Sequence, residues 1–108
     1  LFNKKIFKRM RNDSILINVA RGKIVKELDL VEALKFNHIG GAALDVFENE
    51  PKVNKKLFEL KNVILMPHAG SATSTTRKKM ISMACQNICE YLLFKDCKNL
   101  VNKEILNV

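Results

Sequence analysis

Three short apolar runs constrain this chain most: Ser14–Val19 (SILINV), Ile39–Val46 (IGGAALDV) and Asn62–Met66 (NVILM). Each gives way at once to a loop that carries polar groups. Aliphatic, β-branched runs of this length, with little alternation, read as strands buried on both faces. The paired Gly and Ala residues of the second run allow close approach of a neighbouring backbone, and Gly40 and Gly41 read as packing glycines. Between the runs the period becomes helical. Residues 3–11 (NKKIFKRMR) set Ile6, Phe7 and Met10 on one face, until Asn12-Asp13 breaks the helix. Residues 27–36 (ELDLVEALKF) carry five large apolar side chains with acids near the start, which suits a helix N-terminus, and Asn37-His38 ends it. Residues 55–60 read as one helical turn. Residues 74–95 read as one long helix, with N-caps on offer from Ser71 to Thr76 and with Met80, Ile81, Met83, Ile88, Tyr91, Leu92 and Phe94 among its apolar members. The tail from Asn99 to Val108 reads as extended or irregular. Alternating helix and strand predict the α/β class, a parallel sheet with helices on its faces.

Hydrophobic residues make up 47% of the 108, enough for one small packed domain. Covering three strands on both faces asks for more surface than so short a chain readily supplies. The chain opens on Leu1 rather than Met, and it reads as a piece of a longer protein. The longest apolar runs, Ile15–Ile17 and Val63–Met66, are far too short to span a bilayer, and no signal peptide is visible, so no membrane partner is expected. The net charge of +8 invites a nucleic-acid hypothesis. Yet the lysines and arginines are spread over several segments, and one Tyr with no Trp offers no stacking platform. Solvated helix faces account for them better. The three cysteines (Cys85, Cys89, Cys97) lack metal-finger spacing and read as small buried or half-buried thiols of a reducing, cytoplasmic compartment.

Ligands of open α/β sheets bind where strands end in loops. The three loops here offer one residue each of a complementary set: Arg21 in Asn18-Val19-Ala20-Arg21-Gly22, Glu50 in Asp45-Val46-Phe47-Glu48-Asn49-Glu50-Pro51, and His68 in Pro67-His68-Ala69-Gly70-Ser71-Ala72-Thr73. A guanidinium fork binds a carboxylate in bidentate fashion, which Lys cannot match. Imidazole exchanges protons near neutrality. A carboxylate beside it favours the imidazolium and fixes the ring. Together they can hold a carboxylate substrate and pass a proton to its carbonyl. His38 serves as a control: it sits at a helix end, where a capping or dipole role suffices. Asp45, taken alone, suits a strand-end cap.

With those residues laid out, the chain resembles the D-isomer-specific 2-hydroxyacid dehydrogenases, the family of phosphoglycerate dehydrogenase, glyoxylate/hydroxypyruvate reductase and D-lactate dehydrogenase. FKRMRNDSILINVARG, IGGAALDVFENEP and NVILMPHAGSATSTTR carry the resemblance in order, and NLVNKEIL resembles the family's C-terminus. The resemblance implies a Rossmann-type fold. Residues 1–73 would be the C-terminal part of an NAD(P)-binding domain, and residues 74–108 a long helix and tail returning toward a substrate domain outside the chain. It also implies that Arg21 holds the substrate carboxylate, that His68 is the acid/base and that Glu50 is its partner. Val19, Ala20, Arg21, Asp45, His68 and Gly70 would line the nicotinamide end of NAD or NADP. The Gly-x-Gly-x-x-Gly phosphate loop and the residue selecting NAD or NADP are not in this chain. The implied partners are a small 2-oxo or 2-hydroxy acid, the dinucleotide and a second copy in a homodimer. Two other readings stand beside this one: a non-enzymatic, dinucleotide-sensing corepressor of the same fold, and a basic nucleic-acid-binding module.

Overall fold

In a computed structural model, which describes residues 1–104, the three apolar runs form one parallel sheet. Its strands are β1 (Ile15–Asn18), β2 (Gly41–Leu44) and β3 (Val63–Leu65), in the order β1-β2-β3. The register aligns Leu16 with Ala42 and Val63, and Ile17 with Ala43 and Ile64. Successive side chains point to opposite faces, so these two rows are the two sides of the sheet.

One side is a core. Leu16, Ala42 and Leu44 pack with residues of α1 (Lys4–Phe7) and α2 (Glu27–Lys35), and Phe7, Leu30, Leu34, Ile39, Leu44 and Leu57 are fully buried. Each such side chain contributes about 1.5–3 kcal/mol by leaving water. The other side is open: Ile15, Ile17 and Ile64 remain 65–67% exposed. Burial on both faces, expected from the apolarity of the runs, is therefore corrected. Within the unit of residues 1–70 these strands are covered on one face, where α1 and α2 pack on them.

Element bounds differ from expectation where the chain must turn. The helix expected over 3–11 stops at Phe7, and Lys8 to Met10 continue as a turn with Arg9 N–H on the Ile6 carbonyl and Met10 N–H on that of Phe7. Only Phe7 of this helix is buried, so packing holds no more than one turn. The second run pairs over four residues rather than eight: a Cβ at Gly40 would lie 3.0 Å from the Asp13 carbonyl oxygen, and beyond Leu44 the chain leaves the sheet. Gly41 is close-packed too, 3.0 Å from the Asn62 carbonyl oxygen by the same measure. The turn expected at 55–60 is a 3-10 helix, Lys55–Glu59.

A second compact unit begins at Ser71. It contains α3 (Ser74–Phe94), close to the helix expected there, started by Thr73, whose Oγ1 accepts from Thr76 N–H at 3.2 Å. It ends at Lys95, which takes left-handed backbone (φ 54°) and donates its N–H to the Tyr91 carbonyl. No α3 residue is buried, and Ile81, Leu93 and Phe94 are exposed. The cysteine expectation is corrected accordingly: Cys85 and Cys89 on α3 are exposed, and Cys97 is buried. The tail expected over 99–108 lies partly beyond residue 104, outside the described residues.

Candidate active site

The three predicted loops converge at the carboxyl ends of the strands. A cleft of about 530 Å³ is lined by Arg21, Gly22, Lys23, Val46, Phe47, Glu48, Asn49, Glu50 and His68. It therefore holds the Arg, the Glu and the His together.

The Arg loop is shaped by Asn18, the last residue of β1. Its buried amide forms an Asx-type turn, with Oδ1 accepting from Ala20 N–H (3.2 Å) and Nδ2 donating to the Arg21 carbonyl (3.1 Å). Arg21 itself is exposed; its Nη1 donates to the Ala20 carbonyl (2.7 Å), and it pairs with no carboxylate among the described residues. Most of its fork is free for an anion. Next to it, Gly22 has no room for a side chain: a Cβ would fall 1.8 Å from the Phe47 carbonyl oxygen. The Arg loop and the Glu loop thus touch backbone to backbone.

Glu50 is aimed by both of its oxygens. Oε1 accepts from Phe47 N–H (2.8 Å), and Oε2 meets His68 Nδ1 (2.8 Å). The Phe47 N–H, then the His68 hydrogen bond and charge, with the Arg21 charge adding last, hold its carboxyl below the usual carboxylate range against a smaller opposing effect of burial. An ionised carboxylate can only accept, so Nδ1 of His68 carries the proton in this bond. Nε2, on the opposite edge of the ring, is left to give or take a proton.

His68 has left-handed backbone (φ 53°), unusual for a residue with a Cβ. The residues just after it are pinned: Asp45, buried at the end of β2, accepts from Ala69 N–H (2.7 Å) and Gly70 N–H (2.8 Å). A Cβ on Gly70 would lie 2.9 Å from Asp45 Oδ2, so glycine lets the loop close onto that carboxylate. Asp45 therefore does act as a strand-end anchor, for the His loop. Val19 is 70% exposed, and it and the exposed Ala20 follow β1 directly, at the same end of the sheet.

Among the predicted residues, the cleft joins Arg21, Glu50 and His68; Val19, Ala20, Asp45 and Gly70 lie in the loops that carry them. His38 stays apart from this cleft. Asn18, Gly22, Glu27 and Glu48 carry roles that the sequence reading did not assign. The first two stood inside the Arg-loop motif, and an Asn ending a strand before a tight loop is a recognisable Asx-turn signal. No group of three or more metal-ligating side chains occurs among the described residues.

Residues 1–70 match the family model of the D-isomer specific 2-hydroxyacid dehydrogenase, NAD binding domain. The chain belongs to this family. Glyoxylate reductase of Pyrococcus furiosus is 43% identical over the whole chain, and that of Aeropyrum pernix 45%; the chain spans 32% of the length of each. Among solved structures, an NADPH-dependent glyoxylate/hydroxypyruvate reductase from Sinorhizobium meliloti, in complex with NADP and malonate, is 38% identical with a TM-score of 0.88, over 94% of this chain and 32% of that one. D-lactate dehydrogenase with NAD+ from Lactobacillus jensenii is 32% identical with a TM-score of 0.78, over 93% and 34%. The parallel sheet is thus part of a Rossmann-type dinucleotide-binding domain of 2-hydroxyacid dehydrogenase kind, and the chain spans about a third of the length of these relatives.

Proposed function

We propose that the full protein containing this chain is an NAD(P)-dependent dehydrogenase that interconverts a small 2-oxo acid and its D-2-hydroxy acid. Residues 1–73 belong to its dinucleotide-binding domain, and residues 74–108 lead back to a substrate domain outside the chain. The observation that carries the reading is the 2.8 Å pair between His68 and Glu50 on a cleft that also presents an unpaired guanidinium, Arg21. Glyoxylate and hydroxypyruvate are the first substrates to try, by analogy with the relatives named above. The protein works as a cytoplasmic homodimer.

Arg21 binds the substrate carboxylate through its free N–H groups and so sets the orientation of the neighbouring carbonyl. Glu50 holds the imidazole by Nδ1. His68 donates from Nε2 to the oxygen that develops as alkoxide, and takes the proton back in the oxidation direction. The exposed Val19 and Ala20, with His68 and the Asp45-held Gly70, suit a flat, weakly polar ring at the strand ends. A bound nicotinamide supplies or accepts the hydride.

The test is reduced-cofactor oxidation by the full-length protein with a panel of 2-oxo acids. Turnover of at least one acid is expected, and Arg21→Lys is expected to raise KM for it far more than it changes cofactor affinity. Intact cofactor binding with no turnover of any 2-oxo acid would replace this reading with that of a dinucleotide-sensing binding protein.

A further inference from the structure

The N-terminus of α2 has an unusual cap. Lys26 stands in the capping position and its side chain caps nothing. The first helical N–H, that of Glu27, is instead taken by a carboxylate from 21 residues away: Glu48 Oε2, at 3.0 Å. The arrangement is reciprocal, because Glu27 Oε1 accepts from Glu48 N–H at 2.5 Å. Glu27 is 5% exposed, and Glu48 is half-buried. Two carboxylates thus lie side by side, each bound to the other's backbone. Their like charge is tolerable here because both accept an N–H and both sit at the positive end of a helix. Surface helices reach the same cap with a local Ser, Thr, Asp or Asn. A remote acid does something that a local one cannot: it ties the loop to the helix.

That loop is the one that aims Glu50. Glu48 N–H is held by Glu27, the adjacent Phe47 N–H is held by Glu50, and Glu50 holds His68. Three consecutive links run from the start of α2 to the imidazole. The Gly22 contact fixes the same loop from the other side, backbone against backbone at Phe47. Glu27 does not itself line the cleft or touch His68; it reaches the site only through Glu48, whose N–H it holds.

We infer that Glu27 and Glu48 form a reciprocal carboxylate–amide clamp, in which Glu27 is the positioning residue that holds the Phe47–Glu50 loop in the geometry that presents Glu50 to His68. This rests on the proposed role of the His68–Glu50 pair. The clamp requires an acceptor at residue 27, not a charge, so Gln should serve and Ala should not.

The experiment uses the full-length protein. The amides of Phe47 and Glu48 are followed by hydrogen exchange, and the Glu50 side-chain carboxyl by NMR titration, in wild type, Glu27→Ala and Glu27→Gln. In the wild type, the Glu48 amide should exchange at least roughly a hundredfold more slowly than an exposed loop amide. In Glu27→Ala both amides should exchange faster, and Glu50 should titrate closer to the ordinary carboxylate range, because its Phe47 donor has moved. kcat should fall roughly ten- to a hundredfold with little change in KM, as expected for a misplaced reacting group. Glu27→Gln should restore all three. A folded Glu27→Ala protein with wild-type amide exchange and Glu50 titration would overturn the clamp. If that variant does not fold, an unprotected Glu48 amide in the wild type overturns it equally. Should the wild type reduce no 2-oxo acid, the proposed activity fails while the exchange and titration arms still judge the clamp. Unchanged exchange in an active enzyme condemns the clamp alone.

Discussion

Two histidines follow turns in this chain, and they are built differently. At the end of α2, Asn37 takes the left-handed conformation (φ 52°) and donates its N–H to the Leu34 carbonyl at 3.2 Å, while His38 donates its backbone N–H to the Ala33 carbonyl at 2.8 Å. That is a Schellman cap, closed by backbone groups within the six consecutive residues from Ala33 to His38, and the His38 ring only leans on Phe36, 6.1 Å between centroids. After β3 the histidine itself is left-handed, and its supports are long-range: Glu50 holds its ring from 18 residues away, and Asp45 holds the next two residues, Ala69 and Gly70, from 24 and 25. Local closure terminates a helix. Convergent closure from distant loops makes a site, because only it brings side chains of complementary chemistry together and keeps them there.

The sharpest way to break that contrast is to remove each ring. His68→Ala in the full-length protein should lower kcat by roughly 10²–10⁴, the usual worth of a positioned acid/base. His38→Ala should leave kcat within about twofold, since its backbone does the capping. Equal losses, measured by reduced-cofactor oxidation, would erase the distinction. Next in size is Gly22→Ala, which must separate two backbones at the Arg and Glu loops. It should destabilise the fold by about 3 kcal/mol, as overpacking against immovable neighbours does, and a denaturant titration reads it. At the other turn, Asn37→Ala should cost only about 1 kcal/mol, the left-handed penalty of an ordinary residue, with activity unchanged.

The smallest effect is the pH dependence. Glu50 has a folded-state pKa below its unfolded value, so its contribution is present above the ordinary carboxylate range and is lost as pH falls through the lowered folded value. His68→Ala should raise that pKa only part of the way to normal, because the larger cause, Phe47 N–H, remains. A carboxyl NMR titration checks this; a full return to the ordinary value would mean that the backbone donor contributes nothing.

Much of this was legible in the residues themselves. Period and caps are local, so α2 and α3 are found almost where the spacing of Leu30, Leu34 and their counterparts puts them. The order Arg21, Glu50, His68 after three strands is legible because parallel strands deliver their loops to one end. What could not be read is coverage and remote closure. Ile17 and Leu16 are equally apolar, yet one faces solvent and the other the core, and only the placement of α1 and α2 decides between them. Glu27 looks like an ordinary acid in a first helical turn, and its service to Glu48, 21 residues on, has no sequence signature. Asp45 is a cofactor contact by resemblance and a strand-end cap by chemistry. Its two hydrogen bonds to the His loop give the second reading its content.

The central claim is that Glu50 acts through His68 and not beside it. A double-mutant cycle on kcat, with His68→Ala and Glu50→Gln made singly and together in the full-length protein, tests this most directly. The account predicts that the double variant is no slower than His68→Ala alone. Losses that multiply, as they do for independent groups, would contradict it.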